Sequence, residues 1–513
     1  MQAVDEREAD TAAPRPAIPR SALATWFRVL SAVAGGWVVL LHVVATASGM
    51  SLQEDSAVYV GAARNLLAGD GLTVPFGTLP PELLTQYPPL YAVVLAAHEL
   101  TGFAMLDFAR WANALFAVVT VLLVIRLSRT ITGGSLGAAA LAAVLVVSST
   151  RMIAVNAMVM SEPAMICLGT LGLALLVRFL GQRDRASITT LLVAGGLAGL
   201  AALTRYVGVA YGLAGLVVLV GSSRRHRDGV RTIALYGLLS LGPIACFLGY
   251  SFLGTDTPTN RPLGWHPPLM TDLRALVDAF GSWFWSSAGS AATLVGLIAI
   301  VLTILAVARL RAQSGGRGER REVTSVLGAF AVAYALVVLT AITLVDASIP
   351  GDAPRILLPL LPVVAVLLPA GLRQMVRGAR RSTIALACLP VVVTAAVVLP
   401  LTTDAVRWAN YAHTHGVAVT MRERARSPLL ARLRRTPRDM TLYSNDASLL
   451  YVLSDRKVLD VPADISVYTR RPIRISQPSW RAWIGSCGRA GPSWSTSTTA
   501  SRPRRNGSRS SST

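Results

Sequence analysis

The chain has 513 residues, 53% of them hydrophobic and only 15% charged, and its mean hydropathy is +0.53, so it carries far more apolar surface than one soluble core could bury. A soluble enzyme and a protein with a single anchor are both excluded, because apolar runs able to cross about 30 Å of hydrocarbon as a helix recur from residue 26 to residue 402. The formal net charge of +21 would suggest nucleic acid as the partner of a soluble protein; here arginines cluster in short connections between apolar runs, where anionic lipid and membrane orientation account for them.

Residues 1–25 form an N-terminal tail, expected on the cytoplasmic side. Helices are expected at about 26–48, 109–128, 135–150, 162–180, 187–203, 206–221, 231–252, 290–310, 323–345, 354–371 and 382–401, about eleven spans in an all-α membrane module covering 26–402. The first run is too long for the apolar region of a signal peptide and reads as a retained helix. If the tail with Arg15, Arg20 and Arg28 is cytoplasmic, one set of connections falls on the same side. It holds Arg126 and Arg129, Arg178, Arg183 and Arg185, RRHRDGVR at 224–231, RLRAQSGGRGERR at 309–321 and RQMVRGARR at 373–381, in agreement with the positive-inside rule. The longer, chemically richer connections then face outward.

The first of these, residues 49–108, opens with Glu54 and Asp55 directly after a span. AVYVGAARNLLAG has a helical apolar period too short to cross lipid and is expected to lie along the membrane surface. Gly69, Gly71 and Pro75 end it, and Pro88 and Pro89 in YPPLY start a second short helix. A loop of this length with its own helices is usually functional.

Glu162, in MVMSEPAM, stands at the mouth of a span with Pro163 in the first turn. It either compensates the helix dipole or joins Asp55 in holding an acceptor or a divalent cation. Arg205 interrupts two apolar runs, a costly place for a charge unless it is paired or solvated. TNRPLGWHPPLM at 259–270 gathers Arg261, Trp265 and His266, and Asp346, Asp352 and Arg355 frame a further turn. Each has a plainer reading, as interfacial residue, exposed loop histidine or local ion pair.

Four cysteines, Cys167, Cys246, Cys388 and Cys487, are far apart and lack metal-ligand spacing, so no disulfide framework or structural zinc is implied. After residue 402 the pattern changes. DMTLYSND and ASLLYVLSDRKVLDVP read as strand, turn and apolar segment of a small extracytoplasmic α/β domain over 403–484, and 485–513 form a basic, Ser-rich tail expected to be disordered.

One helix, an acid, a surface helix, a G-D-G turn and YPPLY, followed by ALTRY at 202–206, DASIPGDAPRILLPLLP at 346–362 and LYSNDASLLYVLSDR at 442–456, resemble the GT-C superfamily of membrane glycosyltransferases over most of residues 26–465, particularly its protein-mannosyltransferase-like (family 39) and aminoarabinose-transferase-like branch. The resemblance implies transfer of a sugar from a polyprenyl-phosphate carrier to a glycan, lipid or protein acceptor on the outer face of a multi-pass cell-membrane protein. Asp55 matches the family's catalytic acid, with Glu54 the near alternative and Glu162 beside it. A carboxylate against a partly dehydrated apolar surface is expected to have its charged form disfavoured and to accept a proton more readily. Arg64, Arg205, Arg261 and Arg355 are candidates for neutralising the lipid phosphate, and Tyr59, Tyr87, His266 and Asp352 for contacting substrate. A divalent cation is the one cofactor the pattern allows for, and neither its ligands nor the sugar is specified. A transporter or flippase of a lipid-linked glycan is the alternative; it would place polar groups at the bilayer midplane, whereas this chain gathers them in one set of loops.

Overall fold

The computed structural model describes residues 20–461 apart from 79, 183–186, 224–228, 256–258, 260, 262, 286–289, 314–317, 379–383, 418–426 and 438–439. Most of the N-terminal tail, residues 462–484 of the expected C-terminal domain, the Ser-rich tail after it, and Arg183 and Arg185 therefore lie outside the described residues. Long apolar runs become helices because a helix satisfies every backbone polar group within one segment. In chain order the first are α1 (Arg20–Ala45), α2 (Glu54–Ala68), α3 (Leu90–Ala96), α4 (Met105–Thr132), α5 (Leu136–Val147), α6 (Thr150–Asn156), α7 (Glu162–Gly181), α8 (Ile188–Thr204) and α9 (Val209–Ser223). They are followed by α10 (Gly229–Thr255), α11 (Met270–Gly281), α12 (Ser290–Gln313), α13 (Glu319–Leu344), α14 (Ala353–Ile356), α15 (Leu361–Gly378), α16 (Ile384–His415), α17 (Pro428–Arg435) and α18 (Ala447–Ser454).

Among the described residues seven helical segments are long and apolar enough to cross a bilayer, or eight if the pair α5 and α6, bent by 55°, is one span. The about eleven expected spans are thus not all matched. α8 and α9 have 17 and 15 residues and are each shorter than a span. Small residues let these helices approach closely. A Cβ on Gly169 of α7 would stand 2.2 Å from the Tyr211 ring of α9, and one on Gly199 of α8 would stand 2.3 Å from the carbonyl of Leu239 in α10. Tyr211 in turn stacks on Phe330 of α13 at 4.2 Å between ring centroids.

The first long loop is built onto one end of this bundle. Ser51 pairs with the α6–α7 connection, its N–H donating to Ala157 and its carbonyl accepting from Val159, so the chain leaves α1 already fixed to the start of α7. Gln53 and Ser56 form a reciprocal cap at the start of α2. The surface helix expected here exists, but Asp55 through Ala63 are all buried, so α2 is covered and does not lie open along a membrane surface. Its cover is a two-residue hairpin, β1 (Thr73–Val74) with β2 (Glu82–Leu83), then α3, and from far along the chain a parallel pair, β3 (Leu442–Ser444) and β4 (Val458–Asp460), joined through α18.

This β-α-β unit shares its apolar cluster with the first loop: Ala447, Tyr451 and Val458 pack with Tyr59, Phe76 and Leu84. Gly77 bridges to β4, donating to Val458 at 2.8 Å and accepting from Asp460 at 3.0 Å, with a φ of +90° that favours glycine. α16 runs on to His415, past the boundary expected at 402.

Candidate active site

At the end of the bundle that carries the first loop lies a cavity of about 590 Å³. Its lining combines charged side chains, Glu54, Asp55, Arg205, Arg261, Asp352 and Arg355, with aliphatic ones, Val207, Val209, Ile244, Leu248 and Val337 among them.

Each charged group is delivered by a helix end or a break. Asp55 is the second residue of α2 and Glu162 the first of α7, where an acid complements the exposed backbone N–H groups. Arg205 sits in extended backbone between α8 and the short 3₁₀ turn Tyr206–Gly208, so the interruption legible in the sequence turns its guanidinium toward the acids. Tyr206 anchors the facing loop, donating from its hydroxyl to the carbonyl of Thr85 at 2.6 Å. Arg355 is in α14, just beyond a 3₁₀ turn, Ile349–Asp352.

The four meet. Arg355 Nη1 donates to Asp55 Oδ2 at 2.7 Å, its Nε lies 3.5 Å from Glu162 Oε1, and its Nη2 lies 3.0 Å from Asp352 Oδ2. Arg205 Nη1 donates to Glu162 Oε1 at 2.8 Å and lies 3.5 Å from Asp55 Oδ2. The other oxygen of Asp55 accepts from the Tyr87 hydroxyl at 2.6 Å. Glu162 is only 1% exposed, and among the described residues its Oε2 has no hydrogen-bond partner. Taking such charges out of water costs several kcal/mol per ion, which attraction repays only when partners are this close.

Asp55 departs from the sequence expectation of a raised basicity. Burial does push its carboxyl up, but Arg355, then Arg205, then the Tyr87 hydrogen bond outweigh burial and hold the carboxyl down at about 2. With these partners Asp55 is a fixed anion and a weak base. Its neighbour behaves oppositely: burial, then Asp446, Asp55, Asp352 and Asp460, push the Glu54 carboxyl up. Burial and then the Asp55 charge push the Tyr87 phenol well above its ordinary range, so it stays a donor.

Of the other residues singled out in the sequence, Tyr87 and Arg261 line the cavity, the Tyr87 ring lying 5.9 Å from each of the Arg205 and Arg261 guanidinium carbons. Arg261 pairs with Asp346 at 3.1 Å. Tyr59 does not line it; it is fully buried behind Tyr87 and shares a 2.9 Å hydrogen bond with Ser161. Arg64 lies away from the cavity in an ion pair with Asp455 at 2.7 Å. His266 is not in the lining either; its Nδ1 meets the carbonyl of Ile342 at 2.5 Å. Gln86 and the aliphatic lining residues are not legible in the sequence, since ordinary aliphatic residues carry no chemical signal; Tyr206 has one, its place directly after Arg205. Among the described residues no group of three His, Cys, Asp or Glu side chains is arranged to hold a metal ion. The guanidiniums of Arg205 and Arg355 stand at one oxygen of each acid, Asp55 Oδ2 and Glu162 Oε1.

With this geometry in hand, the chain can be set beside known proteins. Residues 66–236 match the family model for dolichyl-phosphate-mannose-protein mannosyltransferase. ArnT from Cupriavidus metallidurans bound to undecaprenyl phosphate superposes with a TM-score of 0.55 at 16% identity, covering 90% of this chain and 88% of that one. The chain has the GT-C fold. The archaeal oligosaccharyltransferase AglB from Archaeoglobus fulgidus, in complex with an inhibitory peptide and a dolichol-phosphate, also superposes on this chain, with a TM-score of 0.55 at 11% identity over 86% of this chain and 65% of that one. No curated protein matches it by sequence. Its apolar helices and GT-C neighbours make it a multi-pass membrane protein.

Proposed function

We propose that this GT-C protein transfers a sugar from a polyprenyl-phosphate carrier to an acceptor hydroxyl at the outer face of the cell membrane. The observation that carries the reading is a cavity lined both by two largely buried guanidiniums, Arg205 and Arg355, and by aliphatic side chains, the two kinds of contact that an anionic head on an isoprenoid tail requires. ArnT and AglB, which share the fold, were captured with undecaprenyl phosphate and dolichol-phosphate respectively. The outer location rests on charge. Asp55, Glu162 and Arg355 sit at helix ends opposite the arginines of the same or adjoining helices, Arg28 on α1, Arg129 on α4, Arg178 on α7 and Arg373 on α15.

In this reading Arg205 and Arg355 share their N–H groups with the carrier phosphate. Asp55 thereby loses the cause of its low pKa, burial dominates, and its affinity for a proton rises. The acceptor oxygen then forms a bond to the anomeric carbon as the bond from that carbon to the phosphate oxygen breaks. The hydroxyl proton passes to Asp55, and polyprenyl phosphate leaves against the two arginines.

The test is transfer of radiolabel from polyprenyl-phosphate sugars to a cell-envelope extract by the purified protein. Labelled acceptor is expected with the native chain and not with Asp55→Asn; full turnover by a folded Asp55→Asn would remove Asp55 from the chemistry. Reporter fusions after Gln53 and within 310–321 test sidedness, and a cytoplasmic signal from Gln53 would reverse the proposed orientation.

A further inference from the structure

The charges of the cavity do not balance. Asp55, Glu162 and Asp352 share Arg205 and Arg355, and Asp346 is paired with Arg261, while Glu54 lines the same space with no ion pair or hydrogen bond among the described residues. Counting these side chains gives five carboxylates against three guanidiniums. The groups whose charges bear most on Glu54 are all acids, Asp55 on its own helix, Asp352 on the 3₁₀ turn, Asp446 at the cap of α18 and Asp460 at the end of β4. The cations across the cavity, Arg205, Arg261 and Arg355, are engaged with other carboxylates.

An entering phosphodiester adds one more negative charge to this excess, in the space that the exposed Glu54 side chain lines. The site can offset it with a proton. On Glu162, Asp346 or Asp352 that proton would break an existing ion pair, and on Asp55 it would occupy the base that receives the acceptor's proton; on Glu54 it breaks no pair and removes repulsion from four acids at once.

We propose that Glu54 takes up a proton as the carrier phosphodiester enters the cavity, so that carrier binding is proton-coupled through a residue other than the one that receives the acceptor's proton. The inference rests on the carrier-binding reading and deepens it. Its sign follows from linkage: the bound state holds the proton more tightly than the free state, so affinity is greatest at low pH. It falls as pH rises between the two titration points, by at most about tenfold per pH unit for one proton, and is level above both.

The probe is methyl farnesyl phosphodiester, whose single charge does not titrate in the working range, with its dissociation constant measured for the full-length protein in detergent across mildly acidic to alkaline pH. The dissociation constant is expected to rise with pH and then level off, calorimetry in buffers of different ionisation enthalpy is expected to show uptake of up to one proton, and Glu54→Gln is expected to bind with little pH dependence and at least as tightly as the native chain at the alkaline end. Asp446→Asn, which keeps the cap of α18, is expected to move the pH-dependent window down, since it removes one like charge. Saturable binding by the native chain without pH dependence, or an unchanged profile in folded Glu54→Gln, would overturn the proposal. Failure of the probe to bind at any pH would instead remove the carrier reading, and this inference with it.

Discussion

Two ion pairs of nearly equal length are opposites. Arg64 and Asp455 meet at 2.7 Å with side chains 46% and 77% exposed, on the outside of the contact between α2 and the β-α-β unit. Arg205 and Glu162 meet at 2.8 Å with side chains 10% and 1% exposed, inside the cavity wall. The distances are almost the same, but the surroundings are not. In water a pair such as the first contributes between nothing and about 1 kcal/mol. The second spends desolvation energy that well-packed aliphatic residues would not, so its presence argues for chemistry over stability.

Breaking the inner pair gives the largest effect. Arg205→Ala leaves Glu162 charged and buried with one partner fewer, and is expected to cost about 3–5 kcal/mol, read as a lower unfolding midpoint in detergent; a midpoint within a degree of native would show that Glu162 is better solvated than its burial implies. Asp55→Asn removes one charge but keeps shape, so folding is expected to survive while transfer falls by at least about 100-fold in kcat/KM.

Tyr87→Phe sharpens the contrast within the inner cluster. It deletes one of the causes that hold the Asp55 carboxyl at about 2, and the acid limb of both stability and activity is expected to move to higher pH. The sign is fixed: a depressed carboxyl contributes stability above its unfolded value and loses it as pH falls toward about 2, so raising the folded value brings that loss to milder acid. An unshifted acid limb would mean that Tyr87 only fills space. Arg64→Ala is expected to be the mildest change, within about 1 kcal/mol and without effect on turnover; a large loss of activity would bring the β-α-β unit into the catalytic machinery.

Much of the helical scaffold is legible in the sequence because its signal is local. Run length and period place segments such as α4, α7 and α13 within a few residues. The count of spans is less so, since Arg205 divides one apolar stretch into two helices that each fall short of a bilayer. The site was legible as a set of residue types in one set of loops, which is how Asp55, Glu162, Arg205 and Arg355 were all named. Their pairing was not, since nothing local tells residue 55 that residue 355 will lie 2.7 Å away. The same gap reversed the sign expected for the Asp55 carboxyl, because burial can be guessed from apolar neighbours but two guanidiniums from distant helices cannot. Tyr59 and Tyr87 look alike in sequence; only packing makes one a buried strut and the other part of the lining.

The bridge from Gly77 to β4 has a consequence in time. A ribosome emits Gly77 some 380 residues before Leu459, its partner in that bridge. Through most of synthesis the first loop therefore waits with one side uncovered, until β4 arrives to cover it. A polypeptide stopped shortly before residue 442 would still lack the apolar contacts that Ala447, Tyr451 and Val458 make with the first loop.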